Sequence, residues 1–146
     1  MRINTKCSLA LHILIVVAVF AKKNKMTSEL IAKSTGSNPV MIRNILGSLR
    51  QAGIVDVQRG SGGATLKLDP KEITIWSVCS TVDPASLTNL MGLHPNPSQR
   101  CPVGRKIHAL LKEPYCAIGK AVRKTMEGCT LADLLEQYYQ GLPPEL

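Results

Sequence analysis

Residues 27–68 read TSELIAKSTGSNPVMIRNILGSLRQAGIVDVQRGSGGATLKL, and this stretch decides the fold. Thr27 is placed to cap a short helix whose first turn carries Glu29, where a negative charge meets the positive helix end. Gly36 stops that helix, because glycine adopts the left-handed conformation that ends helices at no steric cost. Asn38 then caps a third helix with Pro39 at its first position, where proline's missing N–H costs nothing. That helix is expected to run to about residue 52 and end at Gly53. Residues 55–59 and 64–68 are β-capable runs joined by Gly60-Ser61-Gly62-Gly63, so they predict a hairpin, closed by Asp69-Pro70. Two helices joined by a tight turn and followed by a hairpin form a winged helix-turn-helix.

The third helix has two unlike faces. Ile42, Ile45, Leu46 and Leu49 follow the i, i+3, i+4, i+7 spacing and form its inner side, packed over the small Ala32. Its outer side carries Met41, Arg43, Asn44, Ser48 and Gln51, with Asn38 and Val40 at the leading end. Leading residues of such a helix reach base edges in the major groove. Arg43 suits guanine, Asn44 suits adenine, and Val40 and Met41 suit a thymine methyl. At the hairpin tip Arg59 precedes glycines that add little bulk. Backbone and guanidinium can both approach a phosphate or the minor groove there. The predicted DNA-binding set is therefore Asn38, Val40, Met41, Arg43, Asn44, Arg59, Gly60, Ser61, Gly62 and Gly63. The tip lacks the lysine and following Ser/Thr of a nucleotide-binding loop.

Charge points the same way. Residues 1–68 hold ten Lys or Arg against two acids, Glu29 and Asp56, whereas residues 69–146 hold eight of each sign. The net charge of +8 therefore belongs to the first half, which implies a polyanionic partner. Aromatic residues make up only 3% of the chain, too few for the stacking platforms of single-strand binders, so duplex DNA is the expected ligand. At 146 residues the chain suits one domain with a real core, or a small domain plus an oligomerisation element, rather than two full domains. The apolar run at 9–21 follows Arg2 and Lys6 and ends in Val19-Phe20-Ala21, which imitates a cleavable leader. It is shorter than the ~18 residues a membrane span needs, so it reads as a buried first helix over about 5–23. Five cysteines, an odd number without paired spacing, fit reduced thiols and a cytoplasmic location.

Beyond the hairpin, residues 73–82 predict a short helix with Ile75, Val78, Cys79 and Val82 on one face. Pro84, Pro95 and Pro97 make 83–100 mostly loop, with a helical turn near 86–91. A long helix over 102–126 carries Val103, Ile107, Leu110, Leu111, Ile118 and Val122, and Pro114 is expected to kink or split it. A last helix covers 130–139, before a Gly-Leu-Pro-Pro tail. The chain divides into a DNA-binding domain at 1–69, a short helix and Pro-containing loop at 70–100, and the long and last helices at 101–146.

These residues resemble the Rrf2 family of bacterial winged-helix repressors, which includes the iron-sulfur cluster regulator and regulators of nitric-oxide and cysteine metabolism. The likeness covers residues 1–82. It rests on Met1-Arg2-Ile3-Asn4-Thr5-Lys6 with Ala10-Leu11, on Ile31-Ala32, on Leu49-Arg50-Gln51-Ala52-Gly53-Ile54-Val55, on Arg59-Gly60-Ser61-Gly62-Gly63, and on Glu72-Ile73-Thr74. The resemblance implies a transcriptional role, usually repression, and a homodimer joined through the long helix. Two reading helices would then stand about one DNA turn apart, roughly 34 Å, on a pseudo-palindromic operator.

The chain departs from the family where signals are sensed. Cluster-binding members carry three closely spaced cysteines before the long helix, and here residues 83–112 contain only Cys101. A cluster would have to recruit His94 and His108, so no cofactor is expected. The stretch Asn96-Pro97-Ser98-Gln99-Arg100-Cys101-Pro102-Val103-Gly104 looks like a branch of the family that keeps one cysteine. Cys101 stands at the start of the long helix near Arg100, Arg105 and Lys106, a setting that favours thiolate and marks it as the candidate redox sensor. A helix-capping cysteine without signalling is the alternative. Cys7 and Cys79 are expected in the core, Cys129 at a helix boundary, His12 as an interior histidine and Trp76 as a packing anchor. No Cys-x-x-Cys and no Cys, His and acid grouping supports a thiol enzyme. The competing function is a winged-helix module for protein contact with no operator of its own.

Overall fold

The computed structural model describes residues 4–141, apart from the Ser61 side chain; positions 1–3, with Arg2, and the tail at 142–146 lie outside it. The first helix, α1 (Thr5–Phe20), starts at Asn4, whose Oδ1 accepts the Lys6 N–H at 3.0 Å. Ala10, Ile13, Leu14 and Val17 lie at helical spacing and are fully buried, so the leader-like run is the central strut of the core. It ends about three residues before the expected point, because Lys22, Lys23 and Lys25 are exposed and form a turn rather than a further helical turn. His12 is exposed, not interior as expected: one residue before Ile13, it falls off the buried stripe. Among the described residues no helix is long and apolar enough to cross a membrane.

Next come α2 (Ser28–Thr35) and α3 (Pro39–Gln51), bounded as the sequence predicts. Thr27 Oγ1 accepts from Leu30 N, Gly36 is left-handed at φ 66°, and Asn38 Oδ1 accepts from Val40 N at 2.8 Å. The hairpin pairs β1 (Val55–Gln58) with β2 (Gly63–Leu66) in antiparallel register, Val55 opposite Leu66 and Gln58 opposite Gly63. Both strands are shorter than expected, since Gly60–Gly62 closes as a 3-10 turn that leaves Arg59 outside the ladder.

Past the wing are α4 (Ile75–Val82), α5 (Pro84–Thr88), α6 (Pro102–Glu127) and α7 (Leu131–Gln140). Thr74 and Ser77 cap each other reciprocally, which starts α4 at 75 instead of 73 and frees Ile73 to join the core. A bridge between Thr74 and Thr130 ties the two ends of the chain's second half together: Leu131 N donates to Ile73 O at 2.7 Å and Ile75 N to Cys129 O at 2.9 Å. Leu131 is thereby buried in the same core as α1 and α3. Pro114 does not divide α6, which runs unbroken for 26 residues. Lacking an N–H, Pro114 leaves the Leu110 carbonyl without its helical partner.

Candidate nucleic-acid interface

Helix α3 is held by one face and free on the other. Ile42, Ile45, Leu46 and Leu49 are buried, while Asn38, Val40, Met41, Arg43 and Asn44 are exposed, with Val40 at 54% and Met41 at 45%. Two apolar side chains left this open at a helix entrance are costly in water unless something covers them. The Asn38 carboxamide oxygen is engaged in capping, which leaves its NH2 group to face outward. Arg43 is not a free cation: its Nη1 donates to Glu29 Oε1 of α2 at 3.0 Å. The sequence reading gave Glu29 only a helix-end role, although an acid in the first turn of α2 was already a candidate partner for an α3 arginine.

The wing lies beside this helix. Arg59 and Gly60 are exposed at its tip, Gly60 at φ 74°, whereas Gly62 is half-buried over Gln58. Gly63 is buried at φ 77°, where an added Cβ would sit 2.6 Å from Met26 N. Its place in the wing is thus to let β2 pass tightly against the link between α1 and α2, where Ala64 N donates to Met26 O at 2.9 Å. A cleft of about 390 Å³ opens between wing and helices, lined by Thr27, Ser28, Glu29, Arg43, Gln58 and Gly60. A second groove of about 420 Å³ lies on the other side of α3 and adds Lys6 of α1 to Asn38, Val40, Met41 and Asn44. Lys6, counted in the sequence only as charge, is the contribution of α1 to this surface.

Helix α6 has no buried residue along its whole length. Val103 (64% exposed), Leu110 (63%) and Ile118 (38%) are exposed and Ile107, Leu111 and Val122 half-buried, and at 3.6 residues per turn all six fall on one apolar stripe of the helix. Arg123 lies over the Trp76 ring, 4.9 Å from its centre, and fastens the end of α6 to α4.

The cysteines separate by environment. Cys7 and Cys79 are buried together with Leu87; burial raises both thiols, that of Cys79 to about 12 with its hydrogen bond to Cys7 adding to the rise. Burial also raises Cys129. Cys101 and Cys116 are exposed, and Cys101 starts α6 without a side-chain capping bond. Fifteen residues of unbroken helix, about 22 Å, separate these two within one chain. His94 and His108 meet edge to face, ring centres 5.6 Å apart, with His108 Nε2 3.0 Å from the His94 carbonyl oxygen.

The model of the Rrf2 family, described as an iron-dependent transcriptional regulator, matches residues 3–137. The chain belongs to the Rrf2 family. YwnA of Bacillus subtilis, named as an HTH-type transcriptional regulator, is 32% identical over 137 residues, which cover 94% of this chain and 99% of YwnA. Among solved structures, IscR of T. potens superposes with a TM-score of 0.72 at 17% identity, covering 100% of this chain and 94% of its own. CymR of B. subtilis, the global cysteine regulator, superposes with a TM-score of 0.69 at 23% identity over 93% of this chain and 97% of CymR. These two share the fold. The Rrf2 chain described here is accordingly a DNA-binding transcriptional regulator with a winged-helix fold. Iron in the family description does not fit its residues: among those described, no three His, Cys, Asp or Glu side chains are grouped to hold a metal ion.

Proposed function

We propose that this regulator works in the bacterial cytoplasm as a homodimer that represses transcription by occupying a pseudo-palindromic operator. The observation that carries the reading is the open face of α3, where Val40, Met41, Arg43 and Asn44 stand exposed on a rigidly buried helix beside an exposed Arg59. In this reading α3 enters the major groove, Arg43 and Asn44 read base edges, and Arg59 with Gly60 and Gly62 approaches the backbone or minor groove. Residues 1–69 read DNA and 101–146 couple the copies through Val103, Leu110 and Ile118, whose exposure on a 26-residue helix supports a partner there. Ile107, Leu111 and Val122, half-buried on the same stripe, complete that contact. Cys101 is the thiol through which a peroxide tunes the dimer, forming a sulfenic acid as water leaves.

Selection of a random-sequence duplex pool by the purified protein tests the reading, run reduced and peroxide-treated in parallel. One enriched two-fold sequence, bound by a dimer and released more readily on oxidation, is the expected result. A protein that enriches no sequence overturns operator recognition, and a Cys101→Ser variant that answers peroxide like the parent overturns the thiol switch.

A further inference from the structure

Of the described residues lining the cleft between wing and helices, one is a cation and one an anion, and they hold each other: Arg43 Nη1 meets Glu29 Oε1 at 3.0 Å. The Glu29 side chain is 65% exposed and the Arg43 side chain 54%, so solvent weakens the pair and little of the fold's stability depends on it. Its interest lies in where it stands. Glu29 and Asp56 are the only acids in the first 68 residues, and Asp56 is on β1, outside the lining of this cleft. An acid inside a surface meant for a polyanion opposes binding by charge alone.

We propose that Glu29 is a positioning and specificity residue for DNA reading, acting through Arg43. The proposal rests on the reading of α3 as the base-contacting helix. A guanidinium has five N–H donors in a planar fork, and bidentate recognition of guanine uses two of them side by side. Glu29 engages one donor at the Nη1 end, which draws the guanidinium toward α2 and leaves its other donors to the base. A phosphate that draws Arg43 away must break this pair and leave the Glu29 carboxylate facing a second anion. Backbone contact by Arg43 is therefore penalised on every sequence, while a guanine contact that keeps the pair is not. Specificity rises because the wrong mode is made worse.

The test uses the full-length protein, the duplex it enriches from a random pool, and a scrambled duplex of equal length and composition. Parent, Glu29→Gln, Arg43→Ala and the double variant are compared by fluorescence anisotropy over a salt series, with thermal melting to verify folding. Glu29→Gln is expected to bind the scrambled duplex several-fold tighter at low salt, with a salt slope steeper by up to about one per subunit. The ratio of selected to scrambled affinity falls about tenfold, within the range one bidentate contact supplies. With Arg43→Ala present, Glu29→Gln leaves that ratio unchanged. A ratio equal to the parent's for Glu29→Gln, or an equal fall with Arg43 already removed, overturns the proposal while leaving operator recognition intact. A parent that enriches no duplex overturns both.

Discussion

Gly63 shows how one residue positions the wing. At φ 77° and with Met26 N where a Cβ would go, it meets two constraints that only glycine satisfies together. Gly63→Ala is expected to destabilise the chain by roughly 1–3 kcal/mol, read as a lowered melting midpoint, with DNA affinity falling through a displaced wing. The sequence marked this glycine as part of a tip with little side-chain bulk. Its buried role was not legible, because a turn glycine and a close-approach glycine look alike until the neighbouring backbone is placed. Arg43→Ala and Arg59→Ala each remove a proposed DNA contact and are expected to weaken binding to the selected duplex by about 1–3 kcal/mol. The Arg43 loss falls on the selected sequence, the Arg59 loss on all sequences, and competition against scrambled duplex separates them. Cys79 carries a pH dependence whose sign is set by its raised thiol. The native state resists ionising it, so its contribution to stability is complete below the ordinary thiol value of 9.0 and is lost as pH rises toward about 12. Native-state alkylation at neutral pH is expected to label Cys101 and Cys116 and to spare Cys7 and Cys79, and mass spectrometry of the labelled protein checks it.

At the scale of elements, capping signals were the most legible part of the chain. Thr27, Gly36, Asn38 and Pro39 placed both ends of α2 and the start of α3, since each satisfies or omits a backbone group that the helix end leaves free. The inner stripe of α3 was equally clear, because one missing apolar position would have left a hole in the core. Less legible were features set by partners distant in sequence. The tie of Ile73 to Leu131 depends on the Thr74–Thr130 bridge, and the Arg43–Glu29 pair depends on how α2 crosses α3. Of the two outcomes expected at Pro114, the split does not occur, because one missing N–H removes a single bond from a 26-residue helix. The apolar stripe of α6 makes a prediction of its own. Leu110 is exposed in the single chain, so Leu110→Asp leaves the protomer fold unharmed while setting like charges in the proposed contact between copies. Sedimentation at micromolar concentration is expected to show a monomer with unchanged helical content, against a dimer for the parent. A variant that sediments like the parent would move the contact off this face.

For the whole molecule the governing fact is that the net charge lies in one half, while the proposed coupling of copies is assigned to the other. Ten basic side chains against two acids lie in residues 1–68, while the second half is neutral and contributes α6, a helix with no buried residue. In the proposed dimer the basic residues of the first half are doubled over two half-sites, while α6 itself carries six basic residues against two acids, Glu113 and Glu127. Lys6 of α1 lines a groove with Asn38, Met41 and Asn44 of the proposed reading surface, which in the proposed complex sets it toward the backbone flanking each half-site. Each phosphate so neutralised releases a counterion, and the loss of affinity with salt counts them. Six such contacts across a dimer predict a fall on the order of 10³ in affinity between 50 and 200 mM salt. Lys6→Gln is expected to shallow the slope of log affinity against log salt by up to about two per dimer, one phosphate for each protomer, and to weaken selected and scrambled duplexes alike. The same titration on the Leu110→Asp variant should lose roughly half the parent slope, because a lone protomer covers one half-site. A slope that is shallow in the parent and indifferent to both changes would mean that the basic half meets something other than duplex phosphate.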